Sequence, residues 1–356
     1  MASLFRKRVD SARLDAEARE QLTRHHVLLV SPQAAPPELV ATLVRARVDD
    51  SELDLTGEAR VGRRSRIVGP YELDQAAVAE LGTPSELTYA YLLPAPKERD
   101  AHGFEAFVDP LQMALWMRAF PGGPPYREEG DLVGLGLDLA RRVGGSLRIA
   151  GTGVVMTPDP QRNVELTVWS PYWVEPAELL ELVAPVLPGA HLDQGRPHEE
   201  PAPTDEVPWE VDPLDPVADD LENALTSDLL QRLEHVAYAT DVWAQREMEP
   251  ADGYAIVGEG GLVLGVQVET GVPHWVVQQL ADLPEAPTDR LVTYDIRWWP
   301  EDVGQLHLES PTPAHRIART LVGATIRDVA RVVSEAVYGV VVDAAGFHVP
   351  PDRLHA

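Results

Sequence analysis

One pattern restricts the fold of this chain more than any other: a helix–strand–turn–strand run ending in proline occurs twice. Residues 140–159 read ARRVGGSLRIAGTGVVMTPD and residues 330–352 read ARVVSEAVYGVVVDAAGFHVPPD. In the later run Ile326, Val329, Ala330, Val333 and Val337 recur at helical spacing; in the earlier one Leu132, Leu135, Leu139 and Val143 do the same. Each helix leads into β-favouring residues and a turn, Gly151–Gly153 or Ala344–Gly346, and each unit closes on Pro158 or Pro350.

The correspondence continues upstream. VLLVSPQAAPPELVATLV (27–44) matches LTVWSPYWVEPAELLELV (166–183), each a strand, a Ser-Pro break and a helix opened by Pro and Glu. SELTYAYLLPAP (85–96) matches RLVTYDIRWWPE (290–301), each after a short helical segment, Asp74–Leu81 or Pro273–Leu280. Laid out this way, Ser31 falls on Ser170, Thr88 on Thr293 and Asp138 on Asp328. The order β-α-β-(β)-α-β-α-β-β predicts an α+β fold of two tandem related units. Each is a mainly antiparallel sheet with helices on one face.

The expected organisation is an N-terminal helical arm (1–24), a first unit (25–160) and a second unit (161–352). Residues 193–252 interrupt the second unit. They hold 17 acidic residues against three arginines, net −14 of the chain's −27. Their first part is Pro-rich and predicts an extended linker; 217–248 predicts an amphipathic helix. The first unit's extra residues lie in the Pro/Gly-rich stretch 95–130, which reads as a loop.

The helix, hairpin and closing proline of Ala330–Pro351, and less fully of Ala140–Pro158, resemble the C-terminal domain of the cell-division protein ZipA. That resemblance implies a sheet whose open face binds a peptide tail of FtsZ. The duplication, the acidic insert and the lack of an N-terminal anchor depart from it.

Strand alternation indicates which side chains such a face would carry. In the second unit Leu166, Val168 and Ser170, with Val292, Tyr294, Ile296 and Trp298, should meet the helices. Trp169, Trp299, Arg297 and Asp295 should then stand on the open face, and Trp and Arg are favoured binding anchors. By the same matching the first unit's open face carries Leu28, Val30, Thr88, Ala90 and Leu92. That is too apolar to face water, so the second sheet, another subunit or a partner peptide should cover it.

No catalytic constellation emerges. YAIVGEGGLVLGVQVE (254–269) lacks the GxGxxG order and reads as a hairpin, and no GxSxG or HExxH occurs. His102, Glu105 and Asp109 share one helical side but sit in loop-like sequence. With no cysteine, thiolate chemistry and disulfides are excluded. The net charge of −27 opposes nucleic-acid binding. No apolar run is long enough to span a bilayer, although the arm's Leu4, Phe5 and Arg6–Arg8 allow a weak membrane touch.

Two lysines against 28 arginines suggest a GC-rich bacterial genome and a cytoplasmic protein. The expectation is a non-catalytic interaction module without metal or cofactor. It would bind a protein partner, or itself, through an open sheet face or the acidic insert. The alternatives are an enzyme with a small-molecule site between the units and an acidic subunit of a larger assembly.

Overall fold

The computed structural model describes residues 12–13, 16–48, 58–100, 110–193, 253–269, 274–280, 291–306 and 308–355. The acidic insert from 194, the arm's first eleven residues and His102, Glu105 and Asp109 lie outside the described residues.

The first sheet has seven strands: β1 (Ala12–Arg13), β2 (His26–Val30), β3 (Glu58–Arg60), β4 (Arg66–Glu72), β5 (Tyr89–Leu93), β6 (Ser146–Arg148) and β7 (Val155–Met156). The second has six: β8 (Leu166–Ser170), β9 (His191–Leu192), β10 (Gly253–Val257), β11 (Leu262–Glu269), β12 (Leu291–Trp298) and β13 (Val340–Asp343). Both contain one central order, β4-β5-β2-β6 in the first and β11-β12-β8-β13 in the second. In each, an outer strand, β3 or β10, pairs with β4 or β11. The two units therefore share a topology, and the fold is α+β with two sheet-based halves.

The helices form where their end chemistry allows. The first unit holds α1 (Ala16–Arg24), α2 (Pro37–Arg47), α3 (Gln75–Leu81), α4 (Pro110–Ala119) and α5 (Arg127–Val143). The second holds α6 (Pro176–Val183), α7 (His274–Leu280) and α8 (Pro313–Val337). Helices α2 and α6 both open on Pro with Glu in the first turn. Asp74 caps α3 through Ala77 N–H, and Thr312 caps α8 through His315 N–H. Helix α4 lies in the stretch 95–130, where the prolines and glycines predict a loop. It carries Trp116 towards Phe120, their rings 5.2 Å apart.

The long helices lie on one face of each sheet, as expected. In the first unit α2 and α5 pack through Val40, Leu43, Leu132 and Leu139 onto Leu28, Val30, Tyr91 and Leu93. In the second, α6 and α8 pack through Leu179, Ile326 and Val333 onto Val168, Tyr294 and Ile296. Each sheet also carries short helices on its other, minor face: α1 and α3 in the first, α7 in the second.

This burial corrects the reading of the first unit's open face. Leu28 and Val30 point to the long helices, whereas Leu92 and Ala90 point to the minor face, with Val27 and Leu29. That minor face is covered by the unit's own α1 and α3, tied by an Arg19–Asp74 ion pair, and not by the second sheet or a partner.

Strand pairing explains the error. Leu28 lies opposite Tyr91 and Leu147, and Val168 opposite Tyr294 and Val341, so Leu28 corresponds to Val168. The sequence match laid it on Thr167, one residue away, and a one-residue slip moves every side chain to the other face.

The helix-to-strand corner fixes this correspondence. Gly145 N–H bonds Ala140 C=O, and Gly339 N–H bonds Ser334 C=O. A Cβ at Gly145 would overlap Leu29 O, and one at Gly339 would overlap Val168 Cγ1. The preceding residue is left-handed in both corners: Gly144 at φ 66° and Tyr338 at φ 49°.

The units interlock through the last hairpin. Phe347 follows β13 yet is 0% exposed within the first unit's core, with the Arg47 guanidinium 5.9 Å from its ring centre. We expect Phe347→Ala to cost about 3–5 kcal/mol, read as a lowered urea midpoint. A loss below about 1 kcal/mol would mean that the first core closes without it. Tyr338→Gly should raise stability by about 1 kcal/mol, because the left-handed turn strains a side chain that is 68% exposed and contributes little packing.

Candidate functional site

The minor faces of the two sheets differ where they should match. Across the first sheet one row reads Arg148, Val27, Leu92 and Val68. Helix α1 lies over it, with Leu22 buried and its carbonyl accepting from Arg148 Nη1. The corresponding row of the second sheet reads Val342, Thr167, Asp295 and Gly265. Among the described residues the second unit has no counterpart of α1, and polar side chains stand where Val27 and Leu92 stand in the first.

The next row, Val340 and Trp169 with Thr293, is covered at the β13 side by Val276 and Leu280 of α7. The part that no described residue covers is a groove of about 460 Å³ between the units. Its floor is Glu165, Thr167, Trp169, Arg297 and Val342. Its walls are Ala46 and Arg47 at the end of α2 and the turn Asp343–Gly346. Gly346, at φ 78°, lets that turn close beside the Arg47 side chain.

Three of the four residues expected on this face meet here. Trp169 and Arg297 line the groove, and Asp295 holds the floor together. Asp295 accepts from Thr167 Oγ1 at 2.6 Å and from Arg297 Nη2 at 3.3 Å. Trp299 lies beyond the end of β12, is 53% exposed and does not line the groove. Leu28, Val30 and Leu92 are buried in the first unit, away from it. Sequence reasoning missed Arg47 and Glu165, which lie outside the paired strands, and the turn that follows Asp343 at the end of β13.

The groove's charges are mixed. Arg47 and Arg297 line it together with Glu165, Asp343 and the Trp169 indole, and Asp295 holds Arg297 from beneath. Burial holds the Glu165 carboxyl above its ordinary range; Arg297 opposes this and Asp295 reinforces it. Burial also raises Asp343, against the Phe347 and Ala345 amides and Arg142. Such a surface can pair with a carboxylate through guanidinium and stack an apolar side chain on Trp169. Its lining residues include no Ser, Cys or His, and Thr167's hydroxyl is bonded to Asp295.

A second titratable cluster lies inside the first unit. Glu129, in the acid-favouring first turn of α5, accepts from His26 Nε2 at 2.9 Å, from Glu98 N–H at 2.7 Å and from Arg99. Burial pushes its carboxyl up, but these donors outweigh burial and hold it below its ordinary value. Ala150 N–H donates to His26 Nδ1 at 3.2 Å, so the imidazole proton sits on Nε2. Both ring nitrogens are therefore engaged inside the protein, and the cluster pins α5, β2 and the segment before α4 together.

Among the described residues no group of three His, Asp or Glu side chains is placed to hold a metal ion, and no helix is long and apolar enough to cross a membrane. No family model, curated protein or solved structure matches the chain.

A carboxyl raised in the folded state binds its proton more tightly there than in the unfolded chain. Ionising Glu165 above the ordinary carboxylate range therefore costs stability. Glu165→Gln should raise the urea midpoint at pH 7, and the gain should vanish near about pH 3, where the carboxyl is protonated in both states. A lowered midpoint at pH 7 would show instead that Arg297 makes the ionised form favourable.

Proposed function

We propose that this chain is a protein-interaction module of the bacterial cytoplasm that receives an extended segment of a partner on the minor face of its second sheet. The observation that carries this reading is the polar row Thr167–Asp295, which no described helix covers, beside Trp169 and Arg297, where the first unit is sealed by α1. The segment would place an apolar side chain against Trp169 and a carboxylate between Arg297 and Arg47, both anchors of the kind that dominate binding energy. The resemblance to ZipA-type domains supports the same choice, since those receive a peptide on an open sheet face.

A second reading is a small-molecule site in the same groove. It is favoured by the groove's position between two units and by a carboxyl held above its ordinary range beside Arg297.

The test is a pull-down with the tagged chain, followed by titration of the co-purifying partner against Trp169→Ala and Arg297→Glu. Each should weaken the affinity by about tenfold or more, roughly 1.4 kcal/mol, while the circular dichroism spectrum stays that of the parent. Unchanged affinity in both variants would remove this face from consideration. Saturable binding of a metabolite that both variants abolish, with no partner chain recovered, would establish the second reading.

A further inference from the structure

We propose that a row of aromatic side chains at one end of the second sheet, Tyr338, Tyr172, Trp173 and Tyr254, docks a basic, proline-rich segment of a partner protein. The row is separate from the groove. The groove lies at the Glu165 end of β8, and the row begins beyond Ser170, where that strand stops.

The row is continuous by ring contact. Tyr338 follows α8, Tyr172 and Trp173 follow β8, and Tyr254 lies in β10. The Tyr338 and Tyr172 rings meet edge to face with centres 6.3 Å apart, and those of Trp173 and Tyr254 do so at 5.3 Å. Tyr338, Tyr172 and Trp173 are exposed, and Tyr254 is half-buried. Large apolar side chains grouped in this way mark contact surfaces, whereas scattered single ones do not. The matching corner of the first unit has no aromatic: its turn is Gly144, and the segment between β2 and α2 reads SPQAAP.

The rings are also held in position. Tyr338 keeps a left-handed backbone, φ 49°, at the place where the first unit uses glycine. Strain at a residue whose side chain adds little packing points to a contact outside the fold. Ser170 Oγ donates to Val337 C=O at 2.7 Å and accepts from Tyr172 N–H at 3.0 Å, so one hydroxyl couples the two tyrosine-bearing turns. Tyr294 Oη donates to Tyr172 C=O at 2.8 Å and accepts from Val174 N–H at 3.1 Å, and Tyr254 Oη donates to Val174 C=O. The loop is fixed before a ligand arrives, which lowers the ordering cost of binding.

The chemistry of the row selects its occupant. The Tyr172 and Tyr338 hydroxyls and the Trp173 indole N–H have no hydrogen-bond partner among the described residues. They are outward donors set between apolar faces. Proline has no N–H, and an extended proline helix makes no internal hydrogen bonds, so it offers carbonyl acceptors and apolar rings together. Aromatic-lined surfaces take such segments. The lengths agree. From β13 to β10 the row crosses the ends of five adjacent strands, about 19 Å at about 4.8 Å per spacing. About six residues of a proline helix, at about 3.1 Å each, cover the same span.

Charge sets the flanks. Glu175 and Glu178, at the start of α6, are exposed and form no ion pair among the described residues. Burial holds the Tyr254 hydroxyl above its ordinary range, and Tyr294 and these two carboxylates add to the effect, which places them beside the row. Free carboxylates next to exposed rings favour arginine or lysine, which pairs with the one and stacks on the other. They disfavour the chain's own proline-rich stretch 197–216, which carries seven acidic residues and no lysine or arginine.

Fluorescence anisotropy of the full chain with a labelled decapeptide of prolines carrying an arginine at each end tests this. Saturable binding is expected, with a dissociation constant below about 1 mM. Trp173→Ala should weaken it about tenfold. Tyr338→Gly should weaken it about fivefold while raising the melting temperature, so that lost binding is not lost fold. The same peptide with glycine in place of proline should bind at least about tenfold more weakly. The proposal is overturned by no binding up to about 1 mM, by unchanged affinity in Trp173→Ala or in Tyr338→Gly, or by equal binding of the glycine peptide, which would reduce the contact to charge. Preference for a peptide of sequence 197–216 would overturn it in favour of the chain's own segment. A dimer in sedimentation that Tyr338→Gly abolishes, with no peptide bound, would overturn it in favour of a second copy.

Discussion

The placement of Phe347 is the constraint on which the relation between the two halves depends. It belongs by sequence to the last hairpin of the second unit, yet its ring is buried among the side chains of α2 and α5. A buried aromatic ring of this size is among the larger single contributions a core can contain. The first unit's core is therefore completed only when the C-terminal hairpin arrives. A polar seam fixes the orientation. Arg319 is fully buried, paired with Asp159 at 3.1 Å and donating to the carbonyls of Gln305, Leu306 and Leu308. Glu309 accepts from Arg141 of the first unit, from Arg162 and from Asp159 N–H. Burial pushes its carboxyl up, but those three donors prevail and hold it low. Removing one partner of such a network leaves a charge without water or a counter-ion, which is why its geometry is narrow.

Within that frame the two copies keep one scaffold and differ on one face. Sheet order, helix-to-strand corner and long-helix face are common to both. The minor faces diverge in their cover: α1 and α3 lie on the first, and among the described residues only α7 lies on the second, at its β13 side. Under α1 the first sheet can place Val27, Leu29 and Leu92 away from water. Where no described helix matches α1, equivalent positions in the second sheet hold Thr167 and Asp295, which tolerate water and leave the backbone ladder intact, while Trp169 packs beside α7. The hydrophobic effect alone requires this correlation between cover and composition. A duplicated scaffold thus carries one minor face closed by α1 and α3 and one that, among the described residues, only α7 covers in part.

How much of this was legible follows from the periods of helix and strand. The tandem α+β units were readable because helix, corner, hairpin and proline recur together. The match of Asp138 to Asp328 lies four residues from the correspondence fixed by Gly145 and Gly339. That slip is one helical turn, so it leaves the buried faces of α5 and α8 correctly assigned. The match of Val27 to Leu166 lies only one residue off, and in a strand that inverts the assignment. Hence Leu28 and Val30 were misplaced, while Trp169, Asp295 and Arg297, read from their own alternation, were not. Arg47 and Glu165 carried no periodic signal. They matter through tertiary proximity, which no spacing along the chain expresses. Helix α4 was hidden by the prolines and glycines around it, although LQMALWMRAF is helix-favouring within.

The turn Asp343–Gly346 draws these features together. One side of it walls the groove over the second sheet, and the other walls a cleft of about 430 Å³ between α5 and α8. It is held from inside by the Asp343 carboxylate, which accepts from Ala345 N–H at 3.0 Å and Phe347 N–H at 2.9 Å. From outside, Arg142 lies near that carboxylate and donates to His348 C=O at 3.1 Å. The next side chain along, Phe347, is the one that enters the first core. Both recesses are thus built on the element that joins the halves, where two units that evolved one fold meet with surfaces neither could form alone. A site made this way inherits its rigidity from the junction and its chemistry from whichever arginines and carboxylates the junction leaves facing water.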